Sequence, residues 1–153
     1  MQEFIANVAS GFERGDEQLD SKARERQNVQ RVQELYSAIV AGDIAAFQAI
    51  LSEDVVFEIA GPEEVPFSGR ANGRAAAIEL VQHNFGQLDS QSPRIEDVVA
   101  QGDTVVVVGS ERGKLREAKQ EYQMTWVQRF RFSGDSITHF LQVFDTASLR
   151  DSI

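Results

Sequence analysis

Two glutamines interrupt apolar rows at positions where a polar side chain needs a reason. Gln128 stands between Trp126 and Phe130 in the alternating row Tyr122, Met124, Trp126, Gln128, Phe130, Phe132, while Gln123, Thr125, Val127, Arg129 and Arg131 make up the other face. A buried amide without partners costs about 1–3 kcal/mol, so Gln128 must meet another side chain, a water or a ligand. Gln142 interrupts the row Phe140, Gln142, Phe144 in the same way. Tyr36 lies at the edge of an apolar helical arc, which buries its ring and leaves its hydroxyl in need of a partner. Two neutral amides and a phenol suit recognition of a carbonyl or hydroxyl on an otherwise apolar ligand. Proton abstraction asks instead for a group that titrates near working pH.

Other chemistry is restricted by counting. With no cysteine there is no disulfide framework, thiolate nucleophile or zinc-thiolate site, and two histidines cannot build a three-histidine metal centre. Neither a metal nor a cofactor is expected. Acidic residues outnumber basic ones 24 to 15 for a net charge of -9, which argues against nucleic acid and anionic membranes as partners. The longest apolar run, Val105 to Val108, falls far short of the roughly 20 residues that span a bilayer, and Glu3 stands where a secretory signal carries bases. A cytoplasmic protein is expected. His83 falls on the polar face of its helix and His139 on an outer strand face, both in structural or solvated roles. Arg112, Lys114, Arg116 and Lys119, alternating with Glu111, Glu117 and Glu121, read as a solvated strand edge.

Elements must position these groups. Length and composition suit one globular domain. Phe4, Ile5, Val8 and Phe12 share a helical stripe in an N-terminal arm that docks on the domain, on a second subunit, or over a pocket as a lid; Gly11 and Gly15 form a flexible join between this arm and the first long helix. That helix, capped by Asp20 or Ser21, runs to Ala41 and stops at Gly42, with Val29, Val32, Leu35, Tyr36, Ile39 and Val40 on its core face. A short helix, Ile44 to Leu51, ends at Ser52-Glu53-Asp54, and Val55 to Ile59 is a strand. Glycines and prolines make Ala60 to Asn72 a loop with an extended piece at Val65 to Ser68. A third helix runs from Arg74 to Leu88, with Ala77, Ile78, Val81, Phe85 and Leu88 on one face. Four strands complete the chain: Arg94–Ala100, Thr104–Arg116, Lys119–Phe132 and Ile137–Phe144, with turns at Gly102-Asp103 and Ser133-Gly134-Asp135-Ser136. The fold class is α+β, with helices on one face of a mostly antiparallel sheet.

This order of elements resembles the SnoaL-like and ketosteroid isomerase-like branch of the nuclear transport factor 2-like superfamily from about Asn28 to Leu149. The likeness is carried by Ala41-Gly42-Asp43, the segment Leu51 to Glu58, Phe67-Ser68-Gly69-Arg70 leading to Gly73-Arg74, the run Gln128 to Gly134, and Phe144-Asp145-Thr146-Ala147. It implies a cone-shaped, curved sheet whose concave face, closed by three helices, encloses an apolar pocket, and a homodimer formed through the outer sheet faces. It divides the chain into residues 1–27, the arm and the start of the long helix, and a SnoaL-like domain over residues 28–150.

Ketosteroid isomerases pair an aspartate base with an oxyanion hole made of a tyrosine and a protonated carboxylic acid. Matched on the quoted motifs, Leu35 takes the tyrosine position with Tyr36 next to it, Ile59 takes the place of the base, and Gln128 replaces the acid. Isoleucine accepts no proton, so steroid isomerisation by that route is not expected. A one-residue slip would turn Glu58 inward, and Asp145 could serve only by turning back into the cone.

Three functions remain. The leading one is a pocket protein for a small, largely apolar, oxygen-bearing molecule, walled by Phe57, Ile59, Met124, Trp126, Phe130, Phe140 and Phe144, with polar contacts from Tyr36, Gln128 and Gln142. The second is a cofactor-independent isomerase, polyketide cyclase or dehydratase using Glu58 or Asp145. The third is a filled cone that serves only dimeric assembly.

Overall fold

The computed structural model describes residues 18–153. The stripe Phe4, Ile5, Val8, Phe12 and the join at Gly11 and Gly15 lie outside the described residues. Helix α1 spans Gln18–Ala41, so the expected start at Asp20 or Ser21 falls inside it. Its buried stripe is Asn28, Val32, Leu35 and Ala38, flanked by Val29, Tyr36 and Ile39. Val40, expected on the core face, is 88% exposed. It lies five residues beyond Leu35 and therefore about 140° around the helix. The helix ends as Gly42 predicts. Gly42 adopts φ 66°, its N–H reaches Ile39 O at 3.0 Å, and the Asp43 N–H reaches Ala38 O at 2.9 Å.

Asp43 then caps α2, Ile44–Ile50, by accepting from Ala46 N at 3.0 Å. Strand β1 is Leu51–Ile59, so Ser52, Glu53 and Asp54 are extended and do not end the helix. Strand β2, Gly69–Asn72, pairs antiparallel with β1 and lies just after the predicted extended piece at Val65 to Ser68. Helix α3, Arg74–Gly86, buries Ala77 and Asn84, whereas Phe85 is 43% exposed and Leu88 already belongs to β3. Asn84 is held by donating its Nδ2 to Phe67 O at 3.0 Å.

The remaining strands form a meander: β3 Leu88–Gln101, β4 Thr104–Leu115, β5 Tyr122–Ser133 and β6 Ser136–Phe144. Gly102 and Gly134 adopt φ 56° and 57° at the two predicted turns. Helix α1 grips both turns: Glu25 accepts from Gly102 N, Asn28 donates to Gly102 O, and Gln27 donates to Asp135. The sheet order is β2-β1-β6-β5-β4-β3, antiparallel throughout except for the parallel pair β1–β6. Irregular pairings in β1, β3 and β6 bend the sheet. On the helix side, α1 meets β3 and β4, α3 meets β1 and β2, and α2 touches both helices. The core lies between these layers.

A fourth described helix, α4 (Thr146–Ser152), was not anticipated from the sequence. With seven residues and Leu149 as its buried apolar residue, it carries too little periodicity to be read. The class is α+β, as expected.

Candidate functional site

The three neutral polar residues meet. Phe130, two positions along β5 from Gln128, is fully buried, and Gln128 lies directly opposite Gln142 on β6. Tyr36 Oη donates to Gln128 Oε1 at 2.5 Å, and Gln128 Nε2 donates to Gln142 Oε1 at 2.8 Å. The relay ends on Gln142 Nε2, which makes no hydrogen bond among the described residues. Burial pushes the Tyr36 pKa above the ordinary tyrosine range, so its hydroxyl stays a neutral donor at working pH.

The aromatic residues expected as walls pack on one another and on Tyr36. Phe57 stacks on Phe140 with ring centroids 4.1 Å apart, Phe130 meets Phe140 edge-on at 5.2 Å, and Tyr36 meets Phe130 edge-on at 6.1 Å. Ile59, Met124 and Trp126 are buried, and Phe144 is half-buried against them. The Trp126 Nε1 donor is shielded from solvent and has no partner among the described residues.

The carboxylates offered as bases do not join this group. Phe57 and Ile59 are buried, so the period of two turns Glu58 to the opposite face, where it accepts from Arg70 Nη1 at 3.2 Å. The one-residue slip therefore does not occur. Asp145 caps α4 by accepting from Ser148 N at 3.2 Å. His139 is exposed on the outer face opposite Arg131, and His83 is exposed on α3. No group of three or more His, Asp or Glu side chains able to hold a metal occurs among the described residues.

Sequence reading missed a different carboxylate. Glu111, expected on a solvated edge, is 7% exposed and is the buried charged residue among the described ones. The parity of Val105 and Val107 carries through Gly109, Glu111, Gly113 and Leu115, all on the buried face of β4. That alternation was the available signal, and the flanking charges concealed it. Tyr122 Oη donates to Glu111 Oε1 at 2.7 Å, and Gln91 Nε2 reaches both carboxylate oxygens at 3.1–3.2 Å. Burial, then the hydrogen bond to Glu111 and its charge, push the Tyr122 pKa upward.

The two glycines let the rings lie close. A β-carbon at Gly113 would stand 2.5 Å from Tyr122 Oη, and one at Gly109 would strike the Trp126 ring and stand 2.8 Å from Arg94 O. Two surface concavities lie elsewhere. One, of about 570 Å³, surrounds the start of α3 beside Glu53, Arg74 and Glu79. The other, of about 330 Å³, lies between the end of α1, α2 and α3 and is lined by Ile39, Ile44, Phe47, Ile78, Val81 and Phe85.

A family model described as a SnoaL-like domain matches residues 32–140. The chain belongs to the SnoaL-like family. Its match runs from the buried stripe of α1 to Phe140 and so includes Tyr36, Gln128 and Glu111. Among solved structures, this SnoaL-like chain is similar to an NTF2-like protein from Burkholderia xenovorans LB400, with 27% identity, 84% of this chain and 96% of that one covered, and a TM-score of 0.74. An NTF2-like protein of unknown function from Burkholderia pseudomallei K96243 gives 23% identity, 83% and 97% coverage, and a TM-score of 0.73. An LEH-like epoxide hydrolase of M. tuberculosis shares the fold at 18% identity, with 84% and 90% coverage and a TM-score of 0.67. No curated protein shows significant similarity to the chain. No helix among the described residues is long and apolar enough to cross a membrane.

Proposed function

We propose that this SnoaL-like domain binds a small, largely apolar molecule carrying a carbonyl or hydroxyl oxygen. One observation carries the reading: two donors on the inner face, Gln142 Nε2 and the buried Trp126 Nε1, have no acceptor among the described residues, and they flank Gln128 within an aromatic interior. A ligand oxygen would complete them, and the surrounding rings would take up its apolar body. The concavity between α1, α2 and α3 is lined by Ile39, one helical turn beyond Tyr36, and by no residue of the relay. A cofactor-independent isomerase, cyclase or dehydratase acting through Glu58 or Asp145 draws no support from where those side chains are bonded.

Thermal-shift screening of steroids, polyketides and fatty acids tests the reading. A stabilising ligand is expected, and its shift should fall sharply in Gln128→Leu. If no such molecule binds, or if Gln128→Leu responds like the parent, the proposal fails.

We also propose that two copies pair through the outer sheet face, which presents Val99, Val143 and half-buried Val106, Val108 and Leu141. Arg129 lies among them with a shielded Nε that has no partner among the described residues. Light scattering that returns the mass of one chain, at concentrations where Leu141→Arg makes no difference, would remove this arrangement.

A further inference from the structure

Glu111 is held by hydrogen bonds from neutral groups, Tyr122 and Gln91, and takes part in no ion pair among the described residues. A buried carboxylate without a cation is costly, and neutral donors offset that cost only in part. Oε1 accepts twice and Oε2 once, so acceptor capacity remains on Oε2.

The surroundings open towards β3. Register pairs Pro93 with Glu111, Gln91 with Gly113, Ile95 with Gly109 and Val98 with Val107, so these β3 residues share the face of the buried β4 row. That face is uncovered there. Ile95 is 49% exposed, Val98 is 45% exposed, and Gln91 and Pro93 are exposed as well. Glu111 is therefore one side chain from solvent, behind Gln91, with an exposed apolar strip beside it and the rings of Tyr122 and Trp126 over the neighbouring glycines.

We infer that Glu111 and the inner strip of β3 form a binding site for amphiphilic amines, with the ammonium group on the Glu111 carboxylate and the apolar tail along Ile95 and Val98. An ammonium brings the missing positive charge and three donors, and it takes over the carboxylate as the exposed Gln91 side chain swings aside. The neighbouring aromatic rings favour a cation further. This site is independent of the neutral relay, which selects for ligand oxygen and has no charge to offer.

Isothermal titration of the full chain with n-octylamine and with n-octanol, which share an apolar tail, tests the assignment. Octylamine should bind at least about tenfold more tightly than octanol, and Glu111→Gln should abolish that preference. Gln128→Leu should leave octylamine binding unchanged, which separates failure of this site from failure of the relay. Should Glu111→Gln not fold, Ile95→Lys on the exposed strip serves instead. Its added cation should weaken octylamine at least about tenfold while octanol changes less.

Equal affinity for amine and alcohol, or an unchanged preference in the variant that folds, overturns the inference. So does an Ile95→Lys variant that alters the mass of the assembly and not amine binding, because the strip is then a contact between copies. Turnover of a neutral carbonyl compound that is lost in Glu111→Gln, without amine binding, overturns it in favour of a general base.

Discussion

The relay gives the most direct test of the interior, through a double-mutant cycle on Tyr36 and Gln128. Tyr36→Phe removes one hydrogen bond and leaves Gln128 Oε1 without its donor, for about 1 kcal/mol. Gln128→Leu removes both bonds of the relay. It leaves the Tyr36 hydroxyl without its acceptor, and an orphaned buried hydroxyl costs about 1–3 kcal/mol. Burying leucine in the aromatic row offsets part of that, so a net loss of about 2 kcal/mol is expected. In the double variant no hydroxyl is stranded, and its loss should fall short of the sum of the single losses by at least about 1 kcal/mol. Urea denaturation with an unchanged m-value reads each stability. If the two single losses add to within about 0.5 kcal/mol, Tyr36 and Gln128 are not bonded and the proposed polar end of the site is wrong.

Two further outcomes concern the same interior. Both tyrosines of the chain have pKa values raised above the ordinary value of about 10, so the unfolded chain releases their protons first as pH rises. Their contribution is fully present below about pH 10 and is lost above it, by up to about 1.4 kcal/mol per pH unit for each tyrosine. Tyr36→Phe should flatten that fall by one tyrosine's share in denaturation curves taken across the range, and a slope equal to the parent's would contradict the burial of Tyr36. At Gly113, alanine would press on Tyr122 Oη and Ser90 O and loosen the bond to Glu111, at about 2–4 kcal/mol. Gly86→Ala, whose β-carbon meets nothing within 4 Å, should stay within about 0.5 kcal/mol of the parent; similar losses in the two variants would refute the close packing at Gly113.

Much of this architecture was legible because its causes are local. Gly42 ends α1 through a left-handed residue, Gly102 and Gly134 turn the hairpins the same way, and the alternation of β5 announces its buried face. Parity also brought Gln128 and Gln142 to one face, where they pair directly. The misreadings share a different cause. Val40 and Phe85 are apolar residues that the packed layers leave uncovered, while Asn84 is a polar residue that they bury because Phe67 O accepts its amide. Glu111 is the sharpest case: its own strand carries the inward alternation, but the charges around it read as a surface until Tyr122 and Gln91 arrive as partners.

The amino-acid sequence by itself determined the α+β class, the end of α1, the two hairpin turns and the facing of β5, because backbone sterics and side-chain periodicity act over a few residues. Tertiary structure alone decided which polar groups meet. Tyr36 reaches Gln128 across 92 positions, the pairing of β1 with β2 sets Glu58 beside Arg70, and the glycines of β4 admit two rings beside a buried carboxylate. Whether a polar side chain is buried depends on partners that the chain supplies from far away, and those become neighbours only when the sheet and its helices close together.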